Sequence, residues 1–292
     1  MSVEKSYKEA SGFLNQLTST CISILKVLLR SKFFLKLPEG DQKSCVILGN
    51  GPSLKTTINS HKAFLNSHSL FCVNSFAMTE AYTEFKPQQY VILDNSFWES
   101  DGKIILDTLE ALNTKTGWPL KLYLPSMAAG SSKFNMLTKT NPNIQIHYYN
   151  YTVFKGFKGI SNLFFSKNLG MPQSQNVLVA SIFIAINSGF KEVFLVGADH
   201  TWHENLHVNE NNVLCLKDVH FYDSEIKTNY IPFKKGMDLK ETFKVHEIFA
   251  TWSKTFYGYI ILQQYAVFKK CKIYNASEVT FIDAFERKKL IV

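Results

Sequence analysis

Acidic residues are scarce in this sequence, and the shortage narrows the classes of partner to consider. Of the 292 residues, 24 are Asp or Glu and 32 are Lys or Arg, which gives a net charge of +8. A basic surface can neutralise the phosphates of a nucleic acid. However, the lysines are scattered, and no helix-turn-helix, zinc-finger or aromatic RNP pattern occurs. We therefore predict no nucleic-acid partner.

Cysteine is also sparse, and its pattern argues against a disulfide framework. The five cysteines are an odd number, and neither a C-x-x-C pair nor a Cys/His zinc spacing occurs. Two of them, Cys45 and Cys72, lie in apolar runs where a free thiol packs as a small hydrophobic group. We predict a reducing compartment and a cytoplasmic location.

Internal repeats and low-complexity linkers are absent as well, whereas apolar residues are plentiful. Hydrophobic residues make up 46% of the chain, with 24 Phe and 13 Tyr. This composition is typical of a globular protein with a large core. The length allows one large domain or two small ones. We predict a basic N-terminal helix in residues 1–40 and a single domain in residues 41–292.

The N-terminal segment has the spacing of an amphipathic helix. Its apolar positions are Phe13, Leu14, Leu17, Cys21, Ile24, Leu25 and Leu28. Lys26 and Arg30 interrupt the apolar run, so we predict that it is too short to span a bilayer, and it lacks a signal-peptide cleavage site. Two interpretations stay open. The helix lies on the anionic inner surface of the cytoplasmic membrane, or it docks on the domain or on a second subunit of a homo-oligomer.

From residue 45 onward, short apolar segments alternate with helical patterns. Strands are predicted at SCVILG, SLFCVNSF, QYVILDN, LKLYLPS, IQIHYYNY, KEVFLVGAD and CKIYNAS. Helices are predicted at residues 99–113, 174–190 and 281–290, one long helix or two at residues 241–270, and a helix or loop at about residues 55–67. The polar, aromatic segment 203–240 is predicted to be a lid or insertion over the site. This order predicts an α/β fold with a Rossmann-like, mostly parallel sheet and helices on both faces.

Polar residues directly follow five of the predicted strands. Ligands of parallel sheets bind at the carboxyl ends of the strands. The polar residues at these ends are Asn50, Asn74, Asp94, Asn95, Ser126 and Asp199. We therefore predict a nucleotide site at this edge of the sheet.

The first of these strands runs into the loop Gly49-Asn50-Gly51-Pro52-Ser53. Two glycines remove Cβ atoms from the turn, so backbone N–H groups can face an anion, and Ser53 can cap a following helix. The loop is neither G-x-G-x-x-G nor a Walker loop, because no third glycine and no GK[ST] follow. We predict a bound phosphate or nucleotide; the alternative is a tight turn without a ligand.

Four segments carry a resemblance to known enzymes: GNGPSL, VNSF, LDNSFW and SGFKEVFLVGADHTW. They resemble the bacterial sialyltransferases of glycosyltransferase family 42. They resemble equally the wider superfamily of flagellin-modifying motility-associated proteins and 6-hydroxymethylpterin pyrophosphokinase-like proteins. The likeness covers roughly residues 44–202 and the late segment CKIYNAS.

In the sialyltransferases, the GNGPS loop and two later asparagines hold the CMP part of the donor. The resemblance therefore implies nucleotide binding by residues 49–53, Asn74 and Asn95, and it places Gly197 and Asp199 near the nucleotide or sugar. This sequence departs from the family after Asp199, where HTW replaces an aromatic pair. Its predicted lid carries DVHFYDSE in place of the family's histidine motif.

Inverting glycosyl transfer needs a base for the acceptor hydroxyl and hydrogen-bond donors for the leaving phosphate. The first candidate base is His220 in the predicted lid, next to Tyr222. The second is His200, whose imidazole Asp199 would orient. No metal site is predicted, because D-x-D is absent and the histidine spacing in DHTWHENLH matches no zinc motif.

We predict a metal-independent glycosyltransferase without a cofactor, in which a CMP-activated sugar, sialic acid or a relative, is the donor substrate. The predicted acceptor is a lipid-linked or cell-surface glycan such as lipopolysaccharide or capsule. The first alternative is an ATP-dependent pyrophosphokinase of the pterin type, which needs clustered carboxylates for Mg²⁺; the strand ends offer Asp94 and Asp199. The second alternative is a non-catalytic nucleotide-binding protein.

Overall fold

The structure, a computed structural model, describes residues 3–218, 229–236 and 241–290. The strands of the described chain are β1 (Ser44–Leu48), β2 (Ser69–Val73), β3 (Gln89–Val91), β4 (Leu120–Pro125), β5 (Ile144–Tyr149), β6 (Glu192–Val196), β7 (Leu206–Val208), β8 (Leu214–Asp218), β9 (Asn229–Pro232), β10 (Lys272–Asn275) and β11 (Glu286–Arg287). Eight of them form one sheet in the order β11-β10-β6-β1-β2-β3-β4-β5, and every neighbouring pair in it is parallel. The predicted α/β fold with a mostly parallel sheet is confirmed.

Helices cover both faces of this sheet. The α-helices of the described chain are α1 (Val3–Arg30), α2 (Leu54–Ser60), α3 (Lys62–Asn66), α4 (Glu80–Phe85), α5 (Ser96–Glu99), α6 (Lys103–Lys115), α7 (Ser132–Thr140), α8 (Lys158–Ser166), α9 (Val177–Asn187) and α10 (Val245–Phe268). Helices α9 and α10 build one core with α8 and Val27 of α1, and α2 to α7 build the other. Because both faces are covered, all five residues of β2 are buried.

The insertion predicted at residues 203–240 departs from the α/β order, as expected. Strands β7, β8 and β9 form a separate antiparallel sheet, in the order β7-β8-β9. It follows a short 3-10 turn at Trp202–Asn205. That this small sheet acts as a lid stays a prediction.

The N-terminal helix docks on the domain through its small and polar residues. The Ser23 hydroxyl donates to the Lys155 carbonyl at 2.9 Å, and the Phe157 N–H donates to the Thr20 hydroxyl at 3.0 Å. Val27, on the same face, is buried. Of the two interpretations of this helix, docking on the domain is therefore observed, but it does not involve the exposed leucines.

One expectation about this helix was wrong. Tyr7–Arg30 is, by length and composition, long and apolar enough to cross a membrane. The reason is that no charged residue lies between Glu9 and Lys26, so the cations interrupt only its last turns.

The C-terminal segment also differs from the prediction. Residues 281–290 form no helix; they contain β11, which pairs Glu286 with Tyr274 and Arg287 with Asn275 of β10. The free edge of β10 offers backbone hydrogen-bonding partners to this segment. Helical spacing alone could not reveal that competing partner.

Candidate active site

The loop between β1 and α2 touches the backbone that follows β6. The Gly49 N–H donates to the Val196 carbonyl at 2.8 Å, and the Gly51 N–H donates to the Gly197 carbonyl at 2.8 Å. A Cβ atom on Gly49 would lie 2.5 Å from the Gly197 oxygen, and one on Gly51 would lie 2.6 Å from it. The two glycines are therefore required by another strand end of the same chain.

Asp199 also holds the loop between β1 and α2, through two hydrogen bonds from Ser53. Its carboxylate accepts the Ser53 N–H at 2.9 Å and the Ser53 hydroxyl at 2.5 Å. Asp199 is only 5% exposed. The Ser53 side chain thus binds Asp199 and does not cap α2. The N–H groups of Gly49, Gly51 and Ser53 all donate to other atoms of the protein, so these three groups do not face a bound phosphate.

Removing this carboxylate is expected to destabilise the fold. Asp199→Ala leaves the buried Ser53 N–H without an acceptor, and we expect the free energy of unfolding to fall by about 2–3 kcal/mol. Ser53→Ala keeps the N–H bond and is expected to lose about 1 kcal/mol. Urea denaturation measures both values. An Asp199→Ala protein as stable as wild type would contradict the anchoring role.

An asparagine directly follows the loop glycine after β1, and another directly follows β2. The Asn50 amide donates to the Val73 carbonyl at 3.3 Å. Asn74 has φ of +50°, a left-handed conformation that asparagine tolerates better than most residues. Its side-chain oxygen Oδ1 is buried and has no hydrogen-bond partner within the described residues. A buried acceptor without a donor is costly, so Asn74 Oδ1 is a candidate contact for a ligand.

A cavity of about 490 Å³ lies beside Asn74, above the carboxyl ends of β2 and β3. Its wall consists of Asn74, Leu93, Asp94, Asn95, Trp98, Met127, Tyr151, Gln175, Asn176 and Val177. The site predicted from strand ends is therefore partly assembled here, with Asn74, Asp94 and Asn95 together on one wall. The position agrees with the rule that parallel sheets bind ligands at their carboxyl edge.

The chemistry of this wall is polar but nearly neutral. Among its described residues, Asp94 is the only formally charged one. The N-terminus of α9 adds a partial positive charge at Val177, with Asn176 as the N-cap that accepts the Leu178 N–H. Trp98 and Tyr151 provide aromatic surface. Such a wall suits a polar ring with hydroxyl or amino groups.

Comparison with known proteins identifies the family. The family model of the 6-hydroxymethylpterin diphosphokinase MptE-like proteins matches residues 13–205, which is 193 of the 292 residues. The chain belongs to the MptE-like family.

Among solved structures, the MptE-like chain is similar to the MAf glycosyltransferase from Magnetospirillum magneticum AMB-1, with 12% sequence identity and a TM-score of 0.46. The likeness covers 94% of this chain but 38% of that one, so the MptE-like chain spans well under half of its length. No curated protein matches the chain.

Several cavity residues of this MptE-like protein were missed by sequence reasoning. Gln175 and Asn176 reach the wall from the loop before α9, and Met127 and Tyr151 follow β4 and β5 by two residues each. The strand-end pattern was built on the polar residues Asn, Asp and Ser, so it passed over Met127 and Tyr151. The Tyr151 hydroxyl donates to the Ser174 carbonyl, which holds the loop before α9 in place. Asn176, directly before an apolar helix, was the one detectable signal, as an N-cap.

Two predicted nucleotide contacts of the MptE-like chain have structural partners. The Ser126 hydroxyl donates to Asn150 Oδ1 at 3.3 Å, so it faces the interior. Gly197 has φ of +63°, and a Cβ there would lie 2.5 Å from the Gly49 oxygen. Both serve packing between loops, and neither lies on the cavity wall.

The structure corrects the expected environment of His200. Its ring is buried, and Nε2 lies 2.7 Å from the Tyr259 hydroxyl, whereas Asp199 was expected to orient it. Burial lowers the pKa of His200 to about 4, so the ring is neutral at physiological pH. It stacks on Trp202 at 4.2 Å between ring centroids. This packing makes His200 a core histidine and a poor candidate for the base.

The remaining catalytic candidates of the MptE-like protein, His220 and Tyr222, lie outside the described residues. Their assignment as base and partner stays a prediction. Within the described part of the chain, no group of three or more His, Cys, Asp or Glu side chains is placed to hold a metal ion.

Proposed function

We propose that this protein is a nucleotide-sugar-dependent glycosyltransferase and that the cavity beside Asn74 binds the donor. The observation that carries the proposal is the set of polar and aromatic residues that line this cavity. A buried, unpartnered acceptor on Asn74, the carboxylate of Asp94 and the ring of Trp98 surround a space of about 490 Å³ at the carboxyl edge of the sheet. Hydroxyl and amino groups of a nucleoside or sugar supply the donors that this wall can accept.

The placement of the two strand-end aspartates favours this function over a diphosphokinase. A phosphoryl-transfer enzyme of that kind uses carboxylates to hold Mg²⁺ against the phosphates. Asp94 lies on the cavity wall, but Asp199 is buried with both oxygens bonded to Ser53. The pterin diphosphokinase stays the alternative, because the family model carries that description.

We propose further that the donor is CMP-activated, with sialic acid or a related sugar, and that His220 in the insertion is the base. The acceptor is a glycan or glycolipid such as lipopolysaccharide or capsule, built at the inner face of the cytoplasmic membrane. The support for these finer points is the resemblance of the strand-end motifs to the sialyltransferases. In this scheme the base takes the acceptor hydroxyl proton while the phosphate leaves the sugar.

Isothermal titration with CMP, CDP, UDP, GDP and ATP, each with and without Mg²⁺, tests the nucleotide. We expect CMP to bind without Mg²⁺, and we expect Asn74→Gly to weaken it about tenfold or more, as loss of one buried hydrogen bond predicts. Glycine retains the positive φ, so the change removes the side chain alone.

Lys86→Gly is the matched control for this experiment. Lys86 also has a positive φ, of +47°, and it is exposed at the opposite edge of the sheet, before β3. Its nucleotide binding should equal that of wild type. Binding of ATP only with Mg²⁺ would contradict the glycosyltransferase and favour the diphosphokinase. Binding of no nucleotide would contradict both functions.

A further inference from the structure

The outward face of α1 is apolar although the helix is docked on the domain. Leu14 is 59% exposed, Leu25 56%, Leu28 61% and Leu29 74%. The docked face carries Thr20, Ser23 and Val27. The amphipathic pattern is therefore reversed relative to a surface helix of a globular domain, which buries its leucines. Solvent-exposed leucine in a row of this length indicates a further partner.

The residues that follow α1 are held to loops of the domain. The Ser31 hydroxyl donates to the Leu169 carbonyl at 2.6 Å. The Lys32 N–H donates to Asn150 Oδ1 at 2.8 Å, and the Asn150 amide returns a bond to the Lys32 carbonyl at 2.8 Å. With the bonds of Thr20 and Ser23, these contacts hold the second half of the helix along the domain. A helix held this way lies beside the domain and cannot also cross a bilayer without breaking them.

The charges in residues 10–38 all have one sign. Residues 10–38 contain no Asp or Glu, and their four cations are Lys26, Arg30, Lys32 and Lys36. Lys26, Arg30 and Lys32 lie within seven positions of one another, at the end of α1 and just after it. Lys36 follows four residues later. Lys26 and Arg30 are exposed one helical turn apart. An anionic surface complements this segment.

An exposed aromatic pair follows the helix. Phe34 is 95% exposed and has φ of +71°, a conformation that a bulky residue rarely adopts. Phe33 is 46% exposed. Aromatic rings next to cations are typical of segments that rest at the interface between lipid headgroups and acyl chains.

We propose that the leucine face of α1, with Phe33 and Phe34, is a docking surface for a bilayer that contains anionic lipids, with the helix lying in the membrane plane. Leucine and phenylalanine enter the acyl boundary, and Lys26, Arg30 and Lys32 meet the headgroups. A second copy of the chain is a poorer occupant, because it would bring the same cations to the interface. This surface is independent of the chemistry proposed for the cavity.

Sedimentation of the full chain with vesicles tests the docking surface. We expect binding to phosphatidylcholine mixed with phosphatidylglycerol, and weaker binding to phosphatidylcholine alone or at high salt. The double variant Leu25→Glu, Leu28→Glu should bind at least about tenfold less, because both side chains are exposed in the folded protein and lose their apolar contact with lipid. Lys26→Gln with Arg30→Gln should remove the preference for anionic lipid.

Met136→Glu is the matched control, since Met136 is 61% exposed on α7, across the sheet from α1. It should bind vesicles as wild type does. Equal binding by the leucine variant and this control, or no binding by wild type, would overturn the proposal. Retention of the protein in the membrane after alkaline carbonate extraction would show a spanning helix. A dimer that Leu25→Glu dissociates would show that a second copy covers the face.

Discussion

Gly197→Ala is expected to lower the free energy of unfolding by more than about 4 kcal/mol, which places it among the most damaging single substitutions. Two effects add. Gly197 has φ of +63°, which an alanine adopts only with strain. The new Cβ would also lie 2.5 Å from the Gly49 carbonyl oxygen and 2.7 Å from Leu54 Cβ. The first of these contacts is with backbone, which cannot rotate away.

Gly189→Ala separates the two effects. Gly189, after α9, has φ of +90°, but a Cβ there would meet no atom within 4 Å. We therefore expect the conformational term alone, about 1 kcal/mol. Chemical denaturation of both variants gives the comparison. Similar losses at the two positions would show that the contact between the β1 and β6 loops is loose, contrary to the structure.

Acid is expected to destabilise the protein through His200. The folded-state pKa of His200 is about 4, because its ring is buried against Tyr259 and Trp202. The unfolded-state value is about 6.5. Between pH 6.5 and 4, His200 is therefore protonated in the unfolded chain but remains neutral in the folded chain. The stability that the neutral ring contributes is complete above pH 6.5 and is lost as the pH falls towards 4, about 3 kcal/mol in total.

His200→Asn tests this pH dependence. Asparagine tolerates the φ of +55° at this position and does not titrate. The variant should be less stable at neutral pH, because it loses the ring packing, but its stability should fall less between pH 6.5 and 4. Urea denaturation across this range, with wild type in parallel, gives the difference curve. Parallel curves for the two proteins would contradict the buried, neutral ring.

Local sequence patterns predicted most of the strands and the long helices correctly. The run VLVASIFIAI is apolar all round and became the buried helix α9. Short apolar runs such as SLFCV became strands covered on both faces. These segments succeed because burial of an apolar run is decided by its own residues. The terminal helix failed because the edge of β10 offered residues 286–287 a ladder that no local pattern encodes.

The candidate site was predicted only in part, because strand ends can be identified from local sequence whereas the course of a loop cannot. Asn74, Asp94 and Asn95 follow strands that must end at one edge, so their meeting at the cavity follows from a parallel sheet. Gln175 reaches the wall through the loop before α9, whose course depends on tertiary packing. Ser126 follows a strand at the same edge, yet its hydroxyl donates to Asn150, the residue directly after β5, and it does not line the cavity.

The sequence by itself determined the α/β class, the parallel sheet and the edge at which its polar strand ends gather, because these depend on short-range periodicity. Only the tertiary structure decided what the glycines of the first loop are for. They admit the backbone of Gly197 and the carboxylate of Asp199, from a strand nearly 150 residues later in the chain. A close approach between such distant segments changes the residue spacing of neither segment. A glycine-rich turn that binds an anion and one that packs against another strand end therefore have the same sequence pattern.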